Sequence, residues 1–406
     1  MPLIPFNKPF IAGKELYYVA QAVTYGNLSG DGHFTQRCSE FLRDTIGAQE
    51  VLMTPSCTAA LEMAAILCDL DHGDEVIMPS YTFVSTANAF VRTGATPVFV
   101  DIRPDTLNID DSLIEEAITD RTRAIVAVHY AGIGCEMDRI MTIADRHNLL
   151  VVEDAAQAVN ARFNERHLGS IGHLGCYSFH ETKNYISGEG GALSINDNRF
   201  TERARIIRDK GTNRHAFLCG DVDRYTWIDD GSSYVPSELC CAFLWGQLEQ
   251  LNDIASRRRD IYLHYRHALK PLEAKDLIRL PLTPEDCNSN FHMFFILTRD
   301  SATRDALLRH LNSQGINAVI HFVPLHSSPR GRTTSTRSNI LPHTEDISAR
   351  LLRLPFYHDI SIHEQDAVVD AVFRFFQASP PSDASTHPNN THSSQAIAAH
   401  RAATQD

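Results

Sequence analysis

The sequence predicts an α/β protein with a doubly wound, mostly parallel sheet and a smaller α/β domain at its C-terminal end. Between about residues 36 and 240, short strand-like runs alternate with helix-like segments, which is the pattern of repeated βα units. The strand-like runs are β-branched and apolar on both faces, as buried parallel strands are. After about residue 245 the alternation restarts on a shorter scale, which predicts the second domain.

Residues 1–35 are predicted to form an N-terminal arm, because glycines recur at positions 26, 30 and 32 in a segment of mixed character. Residues 36–242 are predicted to be the large domain. Its predicted helices cover residues 35–46, 58–70, 111–118, 138–147 and 201–209, and its predicted strands cover 75–79, 97–101, 124–129, 149–153, 175–179 and 192–195.

Residues 243–378 are predicted to be the small domain. It is expected to open with one long helix over residues 243–267, followed by a strand (292–297), a helix (302–314), a strand (317–322) and a final helix (364–376). Residues 379–406 contain almost no large apolar side chains, so they cannot bury enough surface to offset chain entropy. They are predicted to form a disordered tail.

Composition excludes several classes of protein. The formal net charge of −13 argues against a nucleic-acid partner, and no apolar run is long enough to span a membrane. The nine cysteines include no C-x-x-C pair, and the 20 histidines show no spacing typical of metal ligands. We therefore expect a cytoplasmic protein without a metal site.

Three features, in the order in which they occur along the chain, predict a pyridoxal phosphate site. The first is the Ser/Thr-rich segment 54–58 (TPSCT) before a helical run, because a helix N-terminus suits a phosphate. The second is Asp154 at the end of a strand, where an acid could pair with the pyridinium nitrogen. The third is Lys183, on a polar, glycine-rich loop between two strands, as the residue that forms the Schiff base. Each feature alone has an ordinary structural explanation, and only their combination indicates the cofactor.

Several separated motifs resemble the DegT/DnrJ/EryC1/StrS family of sugar aminotransferases over residues 3–377. They are IPFNKP (4–9), TPSCTA (54–59), SYTFVSTAN (80–88), VHYAG (128–132), VEDAAQ (152–157), SFHETKNY (178–185) and KGTNR (210–214). The resemblance implies the aspartate-aminotransferase-like fold, fold type I, and pyridoxal 5'-phosphate in the large domain. It also implies a homodimer whose subunits share their active sites.

The resemblance also assigns roles to individual residues. Lys183 would hold the cofactor and move the proton, while Asp154 would pair with the pyridine nitrogen. Other contacts would come from Gln157 to the phenolic oxygen, Phe83 to the ring face, and Cys57, Thr58 and Ser178 to the phosphate. Ser233 would reach the partner's phosphate from a position where the family more often has asparagine.

The implied reaction transfers the amino group of L-glutamate to a nucleotide-linked keto-sugar, with dTDP-4-keto-6-deoxyglucose as the expected acceptor. His129, His321 and His326 are candidates for contact with the sugar, and no arginine is nominated for the donor carboxylate. Two alternative functions are an aminotransferase for another nucleotide-linked keto-sugar and a non-catalytic regulator that binds cofactor and sugar nucleotide. A sugar dehydratase of the same fold is disfavoured, because those relatives replace the lysine.

Overall fold

The computed structural model describes residues 3–335 and 340–378. Its strands are β1 (Glu50–Thr54), β2 (Glu75–Pro79), β3 (Thr96–Val100), β4 (Thr122–Val128), β5 (Leu150–Asp154), β6 (Arg162–Phe163), β7 (Arg166–His167), β8 (Leu174–Ser178), β9 (Gly191–Ile195), β10 (Ile278–Arg279), β11 (Cys287–Asn288), β12 (Phe295–Thr298) and β13 (Leu351–Arg353). The predicted tail, 379–406, lies outside the described residues.

The helices come in two groups. Those in the first part of the chain are α1 (Glu15–Tyr25), α2 (His33–Ile46), α3 (Cys57–Leu67), α4 (Val84–Val91), α5 (Ile114–Ala117), α6 (Met137–His147), α7 (Thr201–Arg208), α8 (Arg214–Cys219) and α9 (Glu238–Leu248). Those in the second part are α10 (Leu251–Glu273), α11 (Ser301–Ser313), α12 (Pro329–Thr334), α13 (Pro342–Arg350) and α14 (Ile362–Ala378).

The main sheet has seven strands in the order β1-β9-β8-β5-β4-β2-β3. The neighbours from β8 to β3 are parallel, whereas β9 is antiparallel to both β1 and β8. The prediction of a mostly parallel α/β sheet is therefore confirmed. The segment that joins β8 to β9, residues 179–190, contains no helix, which fits the antiparallel direction of β9 because neighbouring parallel strands are usually joined by a crossover helix.

Alternate residues of the main strands bury into two separate cores. Val51 and Met53 lie in one core and Leu52 in the other, and along β4 Ile125 and Val126 divide in the same way. The first core is covered by α2, α6 and α9, and the second by α3, α4 and α7. This arrangement explains why these strands read as apolar on both faces.

The second part of the chain has a core of its own, around the antiparallel sheet β10-β12-β13 and the helices α10, α11 and α14. The predicted single helix over residues 243–267 is wrong, because α9 ends at Leu248 and α10 begins at Leu251. The predicted strand over residues 317–322 is also wrong, since that segment makes only an isolated bridge between Val319 and Arg353.

Helix α10 packs in two different cores. Ile254 lies in the first core of the main sheet, and Ile261 lies in the core of the second part of the chain. We propose that the two domains divide between these residues rather than at the predicted boundary of 242. The arm also contributes to both cores, through Ile4 to one and Tyr18 to the other. None of the described helices is both long and apolar enough to cross a membrane.

The register of the main sheet gathers one end of several strands at a single edge. Val128 pairs with Asp154, Ser178 pairs with Gly191, and Gly191 pairs with Thr54. The segments that follow or precede these residues therefore meet at the carboxyl edge of the parallel strands, where α/β proteins bind their ligands.

The second part of the chain is fixed to this edge by two polar anchors. Asp101, which follows β3, accepts hydrogen bonds from the backbone N–H groups of His343 and Thr344 at the start of α13. Ser80, which follows β2, accepts a hydrogen bond from the His326 N–H at 3.1 Å. The two anchors place the second part of the chain over the edge that carries the predicted site.

Candidate active site

Lys183 lies on the loop between β8 and β9, which turns back at the carboxyl edge of the sheet. The loop is closed by backbone hydrogen bonds from Lys183 N to His180 O and from Ser187 N to Phe179 O, each 2.8 Å long. Among the described residues, no hydrogen bond or ion pair to the Lys183 amine is formed by a protein side chain or backbone group. The amine is therefore free to react.

Asp154 is the last residue of β5 and is 6% exposed. The buried Thr86 hydroxyl donates to Asp154 Oδ2 at 2.7 Å, and the Ala156 N–H donates to Oδ1 at 3.2 Å. These bonds fix the plane of the carboxylate at the edge of the sheet. A buried carboxylate oriented in this way suits a nearby cation such as a protonated ring nitrogen.

Gln157 has an amide whose orientation follows from its neighbour. The backbone N–H of Ala131 donates to Gln157 Oε1 at 2.7 Å, and Ala131 itself has a φ of 56° in a tight turn after β4. Because Oε1 is used as an acceptor, the Nε2 group of Gln157 is left to donate. A phenolic or phenolate oxygen is a suitable acceptor for it.

The start of α3 forms the predicted anion site. Ser56 caps the helix by accepting a hydrogen bond from Ala59 N at 3.1 Å, and Cys57 and Thr58 are the first two residues of the helix. Gly191 packs against this turn so closely that a Cβ atom there would lie 2.5 Å from Cys57 N. Free N–H groups and the helix dipole make such a start suitable for a phosphate.

Ser178, the last residue of β8, is 5% exposed and lies at the same edge as the start of α3. Its hydroxyl accepts only a long hydrogen bond, of 3.4 Å, from His180 N. The Thr58 hydroxyl shares a 2.8 Å hydrogen bond with Ser85. The Ser178 hydroxyl can donate to a bound anion, because the bond from His180 N uses it only as an acceptor.

Phe83 precedes α4 and is 58% exposed, which is unusual for a phenylalanine. Its ring meets Phe322 at a centroid distance of 6.3 Å. An exposed aromatic ring beside a polar site is available to stack on a planar ligand.

Burial sets the protonation of the groups at the centre of the site. It lowers the pKa of Lys183, an effect that the nearby charge of Arg353 increases and that of Asp154 opposes. It also raises the pKa of the Cys57 thiol well above the usual range, so Cys57 is a neutral neighbour of the amine. The lowered pKa of Lys183 favours the unprotonated amine that nucleophilic attack requires.

His129 does not suit the predicted contact with the sugar, because its side chain is fully buried and both ring nitrogens are occupied. Cys135 N donates to Nδ1 at 3.2 Å, so Nε2 carries the proton that is donated to Glu153 at 2.8 Å. Glu153 also accepts from the N–H groups of Gly169, Ile171 and Gly172. We therefore assign His129 a structural role between β4 and β5.

His326 also has both ring nitrogens occupied. Its Nδ1 lies 2.7 Å from Ser80 Oγ, and its Nε2 lies 2.9 Å from Glu345 Oε1. The ring joins the end of β2 to α13, so we replace the predicted sugar contact by a structural role for His326.

His321 lies near the reactive amine, since the charge of Lys183 acts on its ring. Its Nδ1 is 2.7 Å from the Tyr130 hydroxyl and its ring stacks on Phe322. Burial lowers the pKa of His321 well below the usual range, and the charges of Arg353 and Lys183 lower it further. A neutral His321 remains our proposal for a contact with the sugar.

Ser233 is exposed, on the loop that follows α8, and pairs through its backbone with Asp209. Ser233 therefore lies on the surface of the chain. This placement is compatible with a contact to another subunit, which remains a proposal.

The sequence reasoning missed a layer of residues behind Lys183. Asn184 donates to Asn290 O at 2.8 Å and its Oδ1 lies 2.9 Å from His292 Nδ1, while Arg258 donates to His292 O. Asn290 in turn donates to Gln157 O at 2.9 Å. The sequence could have indicated Asn184, because it is adjacent to Lys183. Arg258, Asn290 and His292 could not be found in this way, because they lie about 75 to 110 residues away along the chain.

Comparison with known proteins identifies the family. The model of the DegT/DnrJ/EryC1/StrS aminotransferase family matches residues 9–373. The chain belongs to this family. It is 33% identical over 384 residues to the spore coat polysaccharide biosynthesis protein SpsC of Bacillus subtilis (strain 168), covering 91% of this chain and 96% of SpsC.

Two solved structures illustrate the likeness. DesV of S. venezuelae has 31% sequence identity and a TM-score of 0.84, with 92% of this chain and 99% of DesV covered. The putative sugar aminotransferase Spr1654 of Streptococcus pneumoniae, solved in a form with pyridoxal phosphate, has a TM-score of 0.85 at 23% identity, with 93% and 99% covered. At that identity Spr1654 shows the shared fold.

Membership in the family establishes the class of reaction. The protein is a pyridoxal-phosphate-dependent sugar aminotransferase of fold type I, which acts on a nucleotide-linked sugar and an amino donor. The residues described above fit the cofactor, because a free amine, a fixed carboxylate, a free amide donor and a helix start lie at one edge of the sheet. In the part of the chain that the structure describes, no cluster of three or more His, Cys, Asp or Glu side chains could hold a metal ion.

The lowered pKa of Lys183 is testable in the cofactor-free protein. Lys183 should acetylate at pH values below the usual range of a lysine, because burial disfavours its charged form. Asp154→Asn should move the midpoint to still lower pH, since it removes a negative charge that favours the protonated amine. Peptide mass spectrometry after brief acetic anhydride labelling measures both midpoints.

The exposed Lys210, which pairs with Asp209, is the internal control for this labelling, and Asp154→Asn should leave its profile unchanged. A Lys183 midpoint that stays fixed in Asp154→Asn would show that the carboxylate does not act on the amine.

Proposed function

We propose that this enzyme transfers the amino group of L-glutamate to C4 of dTDP-4-keto-6-deoxyglucose and produces dTDP-4-amino-4,6-dideoxygalactose. The observation that carries the transamination is the free Lys183 amine beside the fixed Asp154 carboxylate. The finer choice of sugar rests on the likeness of the motifs around Phe83 and Lys183, and of the serine at 233, to the transaminase of enterobacterial common antigen synthesis.

The relative SpsC supports a related place in metabolism, because its name assigns it to the biosynthesis of a cell-surface polysaccharide. An amino sugar linked to a nucleotide is the kind of building block that such a polysaccharide requires. We therefore propose that the product of this enzyme is also destined for a cell-surface polysaccharide.

Each residue of the site has a proposed task. Lys183 binds the cofactor, is released when the donor amine takes its place, and then removes the proton from the donor α-carbon. Asp154 holds the proton on the ring nitrogen, Gln157 donates to the phenolic oxygen, and the start of α3 with Ser178 binds the phosphate. The cofactor, when bound, supplies a ring that takes up the electron pair left on the substrate carbon.

The same lysine determines the stereochemistry of the product. In the second half of the reaction, Lys183 delivers a proton to C4 of the sugar, and the face that it reaches decides between an axial and an equatorial amine. His321 lies beside Tyr130 at the entrance to this region, and we propose that it orients the sugar ring.

The substrate proposal predicts a defined product. The holoenzyme with L-glutamate should convert dTDP-4-keto-6-deoxyglucose faster than UDP-linked 4-keto sugars and should give an axial C4 amine, which NMR assigns. Lys183→Ala is the control and should lower turnover by roughly 10³-fold or more, because it removes both the attachment point and the proton carrier.

Two outcomes of this experiment would count against the proposal in different ways. An equatorial amine, or a preference for a UDP sugar, would contradict the proposed substrate and leave the role of Lys183 intact. Turnover near the wild-type level in Lys183→Ala would contradict the role of the lysine itself.

We also propose that the enzyme is a homodimer in which Ser233 completes the phosphate site of the partner. Apolar side chains are exposed in α8 and on the loop that carries Ser233, with Leu218 69% exposed and Trp227 76% exposed, and these side chains would be covered by a second subunit. A closed two-fold dimer would then contain two shared sites.

Mixed dimers test this sharing. Lys183→Ala and Ser233→Trp should each be nearly inactive alone, the second because a bulky side chain fills the partner's phosphate site. After unfolding and refolding together, about a quarter of the sites should combine a native Lys183 with a native Ser233 from the other chain. Recovery of activity in the mixture measures this, and a mixture as inactive as the two separate variants would contradict a shared site.

A further inference from the structure

Arg353, the last residue of β13, has a guanidinium group without a hydrogen-bonding partner among residues 3–335 and 340–378. No described residue accepts a hydrogen bond from it or forms an ion pair with it, and its Nε atom is shielded from solvent. An N–H donor in such a position is costly, because Nε has lost water without gaining an acceptor, while Arg353 as a whole remains partly accessible. An anionic ligand would remove this cost.

The orientation of Arg353 leaves its hydrogen-bonding edge free. Its guanidinium carbon lies 4.5 Å from the centroid of the Phe6 ring, so the arm of the chain covers one face of the group. Stacking of this kind uses the face of the guanidinium and leaves the N–H donors in its plane available. These donors match a carboxylate, which can accept two parallel hydrogen bonds.

Strand pairing places Arg353 on the side of the small sheet that faces the site. Phe295 and Val319 are its direct partners on the two neighbouring segments, so their side chains lie on the same face as that of Arg353. Phe295 contacts Tyr130, which follows β4 at the carboxyl edge of the main sheet and bonds to His321.

The charges around Arg353 favour an anion. Burial lowers the pKa of Arg353, and the opposing influences come from the phenols of Tyr130 and Tyr81 rather than from a carboxylate. His292 and His321, which lie nearby, are neutral because burial lowers the pKa of each well below the usual range. Lys183 is close enough for its pKa to be lowered by Arg353, after the larger effect of burial.

We propose that Arg353 binds the α-carboxylate of the amino donor and thereby selects amino acids over simple amines. This inference rests on the proposed transamination. The α-carboxylate is bonded to the same carbon as the reacting amine, so an anion that lies near Lys183 in the donor complex is this group. In the sugar nucleotide, the diphosphate is attached at C1, across the ring from the reacting C4, and it would lie farther from the lysine.

The test compares L-glutamate with L-isoglutamine, in which the α-carboxylate is an amide, in single-turnover reactions of the holoenzyme. In the wild type, isoglutamine should need a roughly 10- to 100-fold higher concentration for half-saturation, the value of a charge-assisted bidentate contact. Arg353→Gln should raise the half-saturation concentration of glutamate by a similar factor, more than it lowers the limiting rate. It should also reduce the preference for glutamate over isoglutamine almost to one.

Arg279→Gln is the matched control, because Arg279 lies on β10 of the same sheet and its guanidinium already donates to Pro104 O at 2.5 Å. Arg279→Gln should leave the half-saturation concentrations of both glutamate and isoglutamine unchanged. Arg353→Lys keeps the charge without the planar fork and should fall between wild type and Arg353→Gln, and it replaces the glutamine variant should that variant not fold. Calorimetric affinity for dTDP should stay unchanged in all three variants.

Unchanged half-saturation for glutamate in Arg353→Gln or Arg353→Lys would overturn the proposal. A loss of affinity for dTDP with glutamate unaffected would also overturn it and assign Arg353 to the diphosphate. Calorimetry with glutarate tests the anion site independently of the proposed transamination. Should the wild type accept no amino donor, the proposed function fails, and glutarate binding that depends on Arg353 would still support an anion site.

Discussion

The site depends on the hydrogen bond from Thr86 to Asp154 at the carboxyl end of β5. This bond crosses from the first turn of α4 to the centre of the sheet and fixes a buried carboxylate where four strand ends meet. The carboxylate is the negative charge that opposes the effect of burial on Lys183. Without it, the Lys183 amine would face the positive charge of Arg353 with no carboxylate among the described residues close enough to oppose that charge.

The polar groups of this edge divide into those that hold the scaffold and those that remain free. Glu153 and Asp154 are adjacent in β5, yet Glu153 is saturated by His129 and three backbone N–H groups, whereas Asp154 faces the site. His326 belongs with the first group. Among the described residues, the free groups include the Lys183 amine, the Gln157 amide donor and the Arg353 guanidinium, and we propose that each one binds a different part of the reactants.

Much of the fold could be predicted from the sequence, because buried parallel strands such as β2 and β4 are apolar on both faces. The break between α9 and α10 could not, since residues 249 and 250 are Glu and Gln, which are good helix formers. The roles of Asp154 and Lys183 are predicted from their order along the chain, and that of Gln157 is implied by the family resemblance. The partners of His129 and the position of Arg353 could not be predicted, because they depend on contacts between residues far apart in sequence.

We propose that Lys183 alone among the lysines of the chain carries the cofactor. Borohydride reduction of the holoenzyme makes this attachment permanent, and peptide mass mapping then locates the pyridoxyl group. We expect stoichiometric modification of Lys183 and none at Lys8, Lys14, Lys210, Lys270 or Lys275. A reduced holoenzyme with an unmodified Lys183, or with the pyridoxyl group on another lysine, would contradict it.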